Sequence, residues 1–369
     1  MIPLAANVIL PAPDALPLPA PAFLMRLLLL LTFYLHLLAM NAMLGGVIIT
    51  FWARLRRRET GDAWDTLADA VAGTTPALVA ATVTLGVAPL LFLQTLMGQF
   101  FFTSSILMGW GWFSVVVVLI FAYYGTYLQS FKRDRLGSAR TPLLLGTAVL
   151  FLWIAFMFSN NTSLMAAVTT WPGKYFSDAR GLHLNLDDPT LVPRYLHAIL
   201  GAVAVAGLML ALWGRRRLTG GDSSGTFMVR TGLAAFTWTT LVNLLVGSWY
   251  LMALPRDAML QFMGGSPVGT VLLTVGLVLG ILMVVLGQRA RNLPPGTGLM
   301  PVTVLTAVVM AAMVLMRDMA RGAVLADLYR PGDFAVKTQV LNLVLFAGLL
   351  VGGIAIVVWM VRKLQKAWN

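Results

Sequence analysis

The chain has 369 residues, 59% hydrophobic and only 11% charged, whereas a soluble domain carries roughly 25% charged residues; it reads as an integral membrane protein. It contains no cysteine, which excludes disulfides, thiolate-held iron–sulfur clusters and haem attached through thioethers. The formal net charge is +12, but the cations lie in short loops between apolar runs, a topology pattern that implies no nucleic-acid partner.

The first segment, PLAANVILPAPDALPLPAPAF, is rich in Pro and Ala and lacks a basic n-region, so no cleaved signal peptide is expected. Runs apolar enough to cross roughly 30 Å of hydrocarbon follow near 23–52, 76–102, 106–131, 142–168, 195–213, 229–253, 267–288, 299–316 and 338–361. They predict an all-α integral membrane protein, a bundle of nine transmembrane helices forming one domain over 1–369. FFTSS, between the second and third runs, reads as a turn. Gly276 and Gly280 make a GxxxG in the seventh run, for which ordinary close packing is expected. No internal repeat is visible, which disfavours an inverted-repeat transporter.

Lys and Arg set the orientation. The loops after runs one, three, five and seven, with the C-terminal tail, hold 17 of the 26 basic residues. The other side holds nine, balanced by eight acids: Asp14, Asp178, Asp187, Asp188, Asp257, Asp318, Asp327 and Asp333. The positive-inside rule then places the N-terminus outside and the C-terminus in the cytoplasm, in the inner (cytoplasmic) membrane of a cell.

Polar groups within the runs are few: His36, Gln94, Gln99, Asn243, Asn342 and some hydroxyls. All 14 acids can be placed in loops or at helix ends, so a proton-coupled pump has little support. His36 in TFYLHLLAMN lies well inside the first run, and His197 in VPRYLHAILG near the outer end of the fifth. A neutral imidazole in hydrocarbon leaves a donor and an acceptor to be satisfied. Haem iron is one partner for it; the backbone or a hydroxyl of a neighbouring helix is the other, and both stay open here. His183, in GLHLNLDD, reads as an ordinary solvated residue.

In order along the chain, RLLLLLTFYLHLLAMNAMLGG, TLGVAPLLFLQTLMGQ, SNNTSLMAAVTTWPG, VPRYLHAILGAVAVAGLMLALW and LMRDMARGAVLADLYRP resemble subunit I of the cytochrome bd quinol oxidases. The resemblance covers most of the chain. It implies heme b as cofactor, in one to three copies, with membrane quinol as electron donor or acceptor. By position, His36 matches a histidine at the family's oxygen-reactive haem site, and His197 the ligand of a low-spin b haem. Asp318 falls where the family has a glutamate ligand, and Arg321 where an arginine faces haem propionates; Arg194 is placed to do the same near His197. Asp for Glu shortens the side chain by a methylene, so ligation by Asp318 stands against a simple Asp–Arg321 pair.

The departures bear on function. The third run, SSILMGWGWFSVVVVLIFAYYGTYLQSF, has no acid where the family carries glutamates for oxygen and proton chemistry. The family's seventh-helix methionine is missing from SPVGTVLLTVGLVLG, where Thr274 stands near its position. Met165, Met252 and Met263 are outer-side candidates to replace it, although all three read first as apolar filler. The loop between runs six and seven, associated in the family with quinol oxidation, is reduced to PRDAMLQFMGGSP. The expectation is a b-type cytochrome subunit of a respiratory complex. It passes electrons between quinol and an outer-face partner, a c-type cytochrome, without reducing oxygen. The alternatives are a haem-poor structural anchor of a multi-subunit complex and, below it, a working bd-type oxidase subunit. Whether the chain itself completes a quinol oxidoreductase site is left open.

Overall fold

A computed structural model describes residues 11, 16–60, 62–330, 332 and 334–367; Asp14 and Asp333 lie outside this set. Its long helices are α1 (Ala22–Thr60), α2 (Asp62–Leu107), α3 (Gly109–Phe131), α4 (Arg140–Ala166), α5 (Leu191–Thr219), α6 (Ser224–Ala253), α7 (Pro267–Asn292), α8 (Leu299–Val324) and α9 (Val340–Ala367). Among the described residues, eight are long and apolar enough to cross a membrane, α1 to α8; α9 carries a shorter apolar stretch, Val340–Ile356. The face on which α1 begins is called upper below.

Antiparallel neighbours are held by small residues. In α5 and α6, a Cβ on Gly207 would come 2.7 Å from the Gly232 carbonyl oxygen, and one on Gly214 2.7 Å from that of Gly225. Both approaches are reciprocal, so backbone lies on backbone along the lower half of the pair. Gly276 and Gly280 do something different: the first receives the Met313 methyl of α8 and the second Leu244 of α6. These are side-chain knobs in glycine holes, the close packing expected of them.

The lower ends of α1 and α2 project past the apolar span and are paired by charge: Arg54 with Asp65, and Arg140 of α4 with Asp69. On the upper face Leu18 bridges to Val336, with Leu18 N–H donating to Ala335 O at 2.8 Å and Lys337 N–H to Leu18 O at 2.9 Å. The strand-like segment before α1 is thus strapped to the one before α9.

FFTSS is helical, contrary to the expected turn. Thr103 donates to Gln99 O at 2.7 Å and Ser104 to Phe101 O at 2.9 Å; hydroxyls that bond back to their own helix need no loop. The chain bends instead at Met97 (φ −130°, ψ 35°), where the Tyr329 hydroxyl donates to the Leu96 carbonyl at 2.7 Å. It breaks between Leu107 and Gly109, where Trp110 N–H reaches Gly181 O at 3.1 Å. Gly181 has φ +72°, and a Cβ on it would meet Ile106 O at 3.1 Å, so conformation and space both require glycine.

The segment SNNTS at the upper end of α4 anchors the loop that follows. Asn185 N–H donates to Asn160 Oδ1 and its side-chain amide to Ser163 Oγ, each at 2.7 Å; Ser163 donates to Asp188. Asp188 also accepts from Thr190 N–H at 2.8 Å, which sets the start of α5 and the height of the residues on its first turns.

Candidate functional site

His36 sits on α1 against α2. Its Nδ1 is 3.0 Å from the Thr82 carbonyl oxygen, and a carbonyl only accepts. Nδ1 therefore carries the proton, and Nε2 keeps a lone pair. A Cβ on Gly86 would lie 3.0 Å from His36 Cε1 and Nδ1, so the ring occupies space that glycine leaves. Phe33, one turn earlier, has its ring centroid 6.3 Å from that of His36.

His197 sits on α5 against α6. A Cβ on Gly247 would lie 3.1 Å from its Cε1 and 3.2 Å from its Nδ1. Nδ1 is buried without a hydrogen-bond partner, and so is Oδ1 of Asn243, its polar neighbour on α6. Three residues before His197, Arg194 donates from Nε to the Tyr250 hydroxyl at 3.1 Å and from Nη2 to Thr190 Oγ1 at 2.8 Å. Its guanidinium carbon stands 5.5 Å from the Tyr250 ring centroid. Arg194 Nη1 is buried with no acceptor.

Asp318, 6% exposed, accepts from Arg26 at one carboxylate oxygen and from Arg321 at the other. It ties the top of α1 to α8. Both oxygens are committed, which favours the pairing over the ligand role the resemblance implied. Arg321 Nε remains buried with no acceptor. Arg317 holds its guanidinium carbon 4.4 Å from the Phe33 ring centroid, within electrostatic reach of Arg194, Arg321, Asp318 and Tyr250 and of His36.

Arg26 and Arg321 thus meet the one carboxylate at the upper ends of α1 and α8, and Arg317 stands within electrostatic reach of it and of Arg194 on α5; Arg194 and Arg321 each keep a buried N–H that lacks an acceptor. Charge and unmet donors together ask for an anion. Of these, Arg194 and Arg321 were expected; Arg26 and Arg317 were not, having been counted only as topology charges. The spacing Arg317–Arg321, one helical turn, was the available signal.

Other candidates fall elsewhere. Met165 is buried in the apolar cluster with Leu164 and Trp171, while Met252 and Met263 are 69% and 58% exposed. Thr274 donates to Thr270 O within α7 at 2.8 Å. His183 is a loop brace: its Nε2 is 2.7 Å from Asp178 O and its N–H donates to Leu107 O at 3.0 Å. Beside it, the two-pronged Arg180 pair holds the Asp178 carboxyl down to about 2. Among the described residues no group of three or more His, Cys, Asp or Glu could hold a metal ion by itself. A water-sized cavity of about 10 Å³ lies lower, lined by Thr50, Thr75, Thr126, Thr147 and Gln129, without a carboxylate.

The arrangement fits a haem on this chain's own residues. His36 has the second-nitrogen bond to a carbonyl that accompanies metal-ligating histidines, and the orphaned guanidinium N–H groups suit carboxylate side arms.

No protein-family model matches the sequence, and no curated protein matches it. Among solved structures, a chain of the bd oxidase from Geobacillus thermodenitrificans is similar with a TM-score of 0.74 at 13% identity, over 94% of this chain and 100% of that one. At that identity the shared property is the fold: this chain folds as a bd oxidase chain does.

Proposed function

We propose that this bd-oxidase-like chain is the b-type cytochrome subunit of a respiratory complex, passing electrons between membrane quinol and an outer-face partner, a c-type cytochrome. In this reading nine helices cross the inner membrane, with the upper face outside and the C-terminus in the cytoplasm. The observation that carries it is the pairing of two imidazoles in apolar helix seams with a partly buried arginine cluster at the upper ends of α1, α5 and α8. Bound haem b supplies a one-electron carrier. His36 and His197 would each offer Nε2 to a haem of its own, Arg194, Arg317 and Arg321 would receive carboxylate side arms, and Asp318 fixes Arg321 and Arg26 in place. The surrounding apolar helices exclude water. Arg194, in the first turn of α5, sets the His197 site close to the outer boundary, where a docked redox protein can reach it.

Oxygen reduction is left out of this reading because protons must reach a dry centre. The sequence of α3 offers no acid, and the lower cavity offers only hydroxyls and an amide. A second reading, a haem-poor anchor, draws on His36 being already bonded to Thr82. The visible absorbance of the purified full chain, taken with adequate haem supply, decides between them. A Soret band with b-type components that His36→Ala and His197→Ala each remove supports the cytochrome; no Soret band leaves the anchor.

A further inference from the structure

The two histidines are seated by one recurring device. In an α-helix the carbonyl of residue i faces the N–H of residue i+4, and the side chain of i+4 leans back over that turn. A glycine at i+4 therefore uncovers the carbonyl sideways. Thr82 and Gly86 stand in this relation on α2, and Asn243 and Gly247 on α6. In both places the ring of a histidine from the antiparallel neighbour fills the gap, and the same two ring atoms, Cε1 and Nδ1, come nearest the missing Cβ: 3.0 Å each for His36, 3.1 and 3.2 Å for His197. At His36 the bond to the uncovered carbonyl is closed. At His197 the pieces are adjacent and unpaired: Nδ1 lacks an acceptor, and Asn243 has an idle Oδ1 besides its carbonyl. The second seam also interlocks, since a Cβ on Gly201 would meet Asn243 Nδ2 at 3.5 Å.

We propose that Gly86 and Gly247 are positioning residues. Each opens the turn of Thr82 or Asn243 to the Nδ1–H of its histidine, fixing the tautomer and leaving Nε2 as the free lone pair. That Nε2 then serves haem iron rests on the cytochrome reading; the seating of the rings does not. A metal-ligating histidine is usually oriented by a bond from its other ring nitrogen; the device makes that bond at His36 and sets the same pieces side by side at His197. An alanine at either position brings a methyl within 3.0–3.2 Å of the ring, which must give by a few tenths of an ångström; this lengthens the His36 bond to Thr82 and keeps His197 Nδ1 from closing its own.

The third histidine provides an internal contrast, because His183 bonds the Asp178 carbonyl through Nε2 and so holds the opposite tautomer. The experiment is ¹⁵N-histidine spectroscopy of the haem-free full chain in lipid bilayers. Assignment comes from His36→Gln, His197→Gln and His183→Gln. Two Nδ1–H rings, His36 and His197, and one Nε2–H ring, His183, are expected; an Nε2–H ring at His36 or His197 overturns the proposal. Gly86→Ala should shift the Nδ1–H signature of His36 alone, and Gly247→Ala that of His197 alone. Gly280→Ala, whose methyl meets only the flexible end of Leu244, should change neither. Alanine variants that accumulate with both signatures intact overturn it as well. If the wild-type chain instead binds no haem, the cytochrome reading fails while the tautomer result stands by itself.

Discussion

The guanidinium of Arg317 lies 4.4 Å from the ring of Phe33, and Phe33 stands one helical turn before His36. A partly buried cation is therefore held close to the deeper of the two histidines by an aromatic ring, on a helix that also carries Asp318 and Arg321. A cation over an aromatic face is attracted by the ring quadrupole, by up to ~2 kcal/mol when desolvated. That offsets part of the cost of placing arginine at this depth.

Removing that cation should stabilise the oxidised, more positive iron of the His36 component. At an effective dielectric of about 20, a unit charge ~8–10 Å away contributes roughly 2 kcal/mol. With about 59 mV per tenfold change for one electron, Arg317→Gln is expected to lower that component's midpoint by roughly 50–100 mV. Redox titration of the purified chain measures it, and an unchanged potential would remove Arg317 from the surroundings of the haem.

Asp318→Asn leaves Arg321 buried without its counter-charge. Breaking a buried pair costs roughly 3–5 kcal/mol; the Arg26 arm, half exposed, adds at most ~1 kcal/mol. Thermal unfolding in detergent should shift down clearly, and Asp318→Glu should recover part of the loss. If pairing is all that Asp318 does, the visible spectrum of folded Asp318→Asn keeps every b-type component; disappearance of one would assign it as a ligand after all.

The upper loop carries an acid-sensitive latch. The Asp178 carboxyl is depressed from 3.8 to about 2 by Arg180, so its stabilising effect is fully present above pH 4 and is lost as pH falls toward 2. Protection of the Trp110 amide, whose N–H is bonded to Gly181 O, should fall across that window when its exchange is referred to the intrinsic rate at each pH. In Arg180→Gln the side-chain part of the depression is lost while the N–H of residue 180 still donates to Asp178, so the acid response should move to higher pH. Fast exchange at neutral pH in the wild-type chain would contradict the latch.

Orientation can be read with single cysteines, since the chain has none of its own. Asp187→Cys should react with impermeant thiol reagents in intact cells, and Arg216→Cys only after lysis. The reverse pattern would invert the topology and place the arginine cluster on the cytoplasmic side.

Oxygen chemistry gives the last expectation. The isolated complex should oxidise or reduce a quinol analogue against a c-type cytochrome with negligible oxygen uptake. Rapid, cyanide-tolerant oxygen consumption on adding quinol would restore the oxidase alternative.

Much of this architecture was legible before any coordinates. Runs of apolar residues long enough to span hydrocarbon anticipated α1 to α8 closely, because in lipid nothing but helix satisfies the backbone. His36 and His197 stood out through their rarity in apolar surroundings. FFTSS misled because Thr103 and Ser104 resemble turn residues in water but bond to their own helix in an apolar seam. Arg26 and Arg317 were missed for a different reason: a long cationic side chain near a helix end looks the same in sequence whether it faces water or a neighbouring helix. Only the convergence of α1, α5, α6 and α8 distinguishes them. Gly86 and Gly247 were invisible in a chain with 34 glycines, since their meaning lies in which ring faces them.

The glycine seam between α5 and α6 has a bearing on the order of assembly. In its lower half the two helices touch backbone to backbone at Gly207–Gly232 and Gly214–Gly225; in its upper half His197 and Asn243 stand between them. The pair is joined backbone to backbone near its connecting turn and through side chains at the other end, where Arg194 donates to Tyr250. It can leave the translocon as a finished hairpin, complete in its lower contacts before any prosthetic group arrives. If the chain carries haem as proposed, haem-starved cells are expected to accumulate a folded precursor rather than degrade the chain.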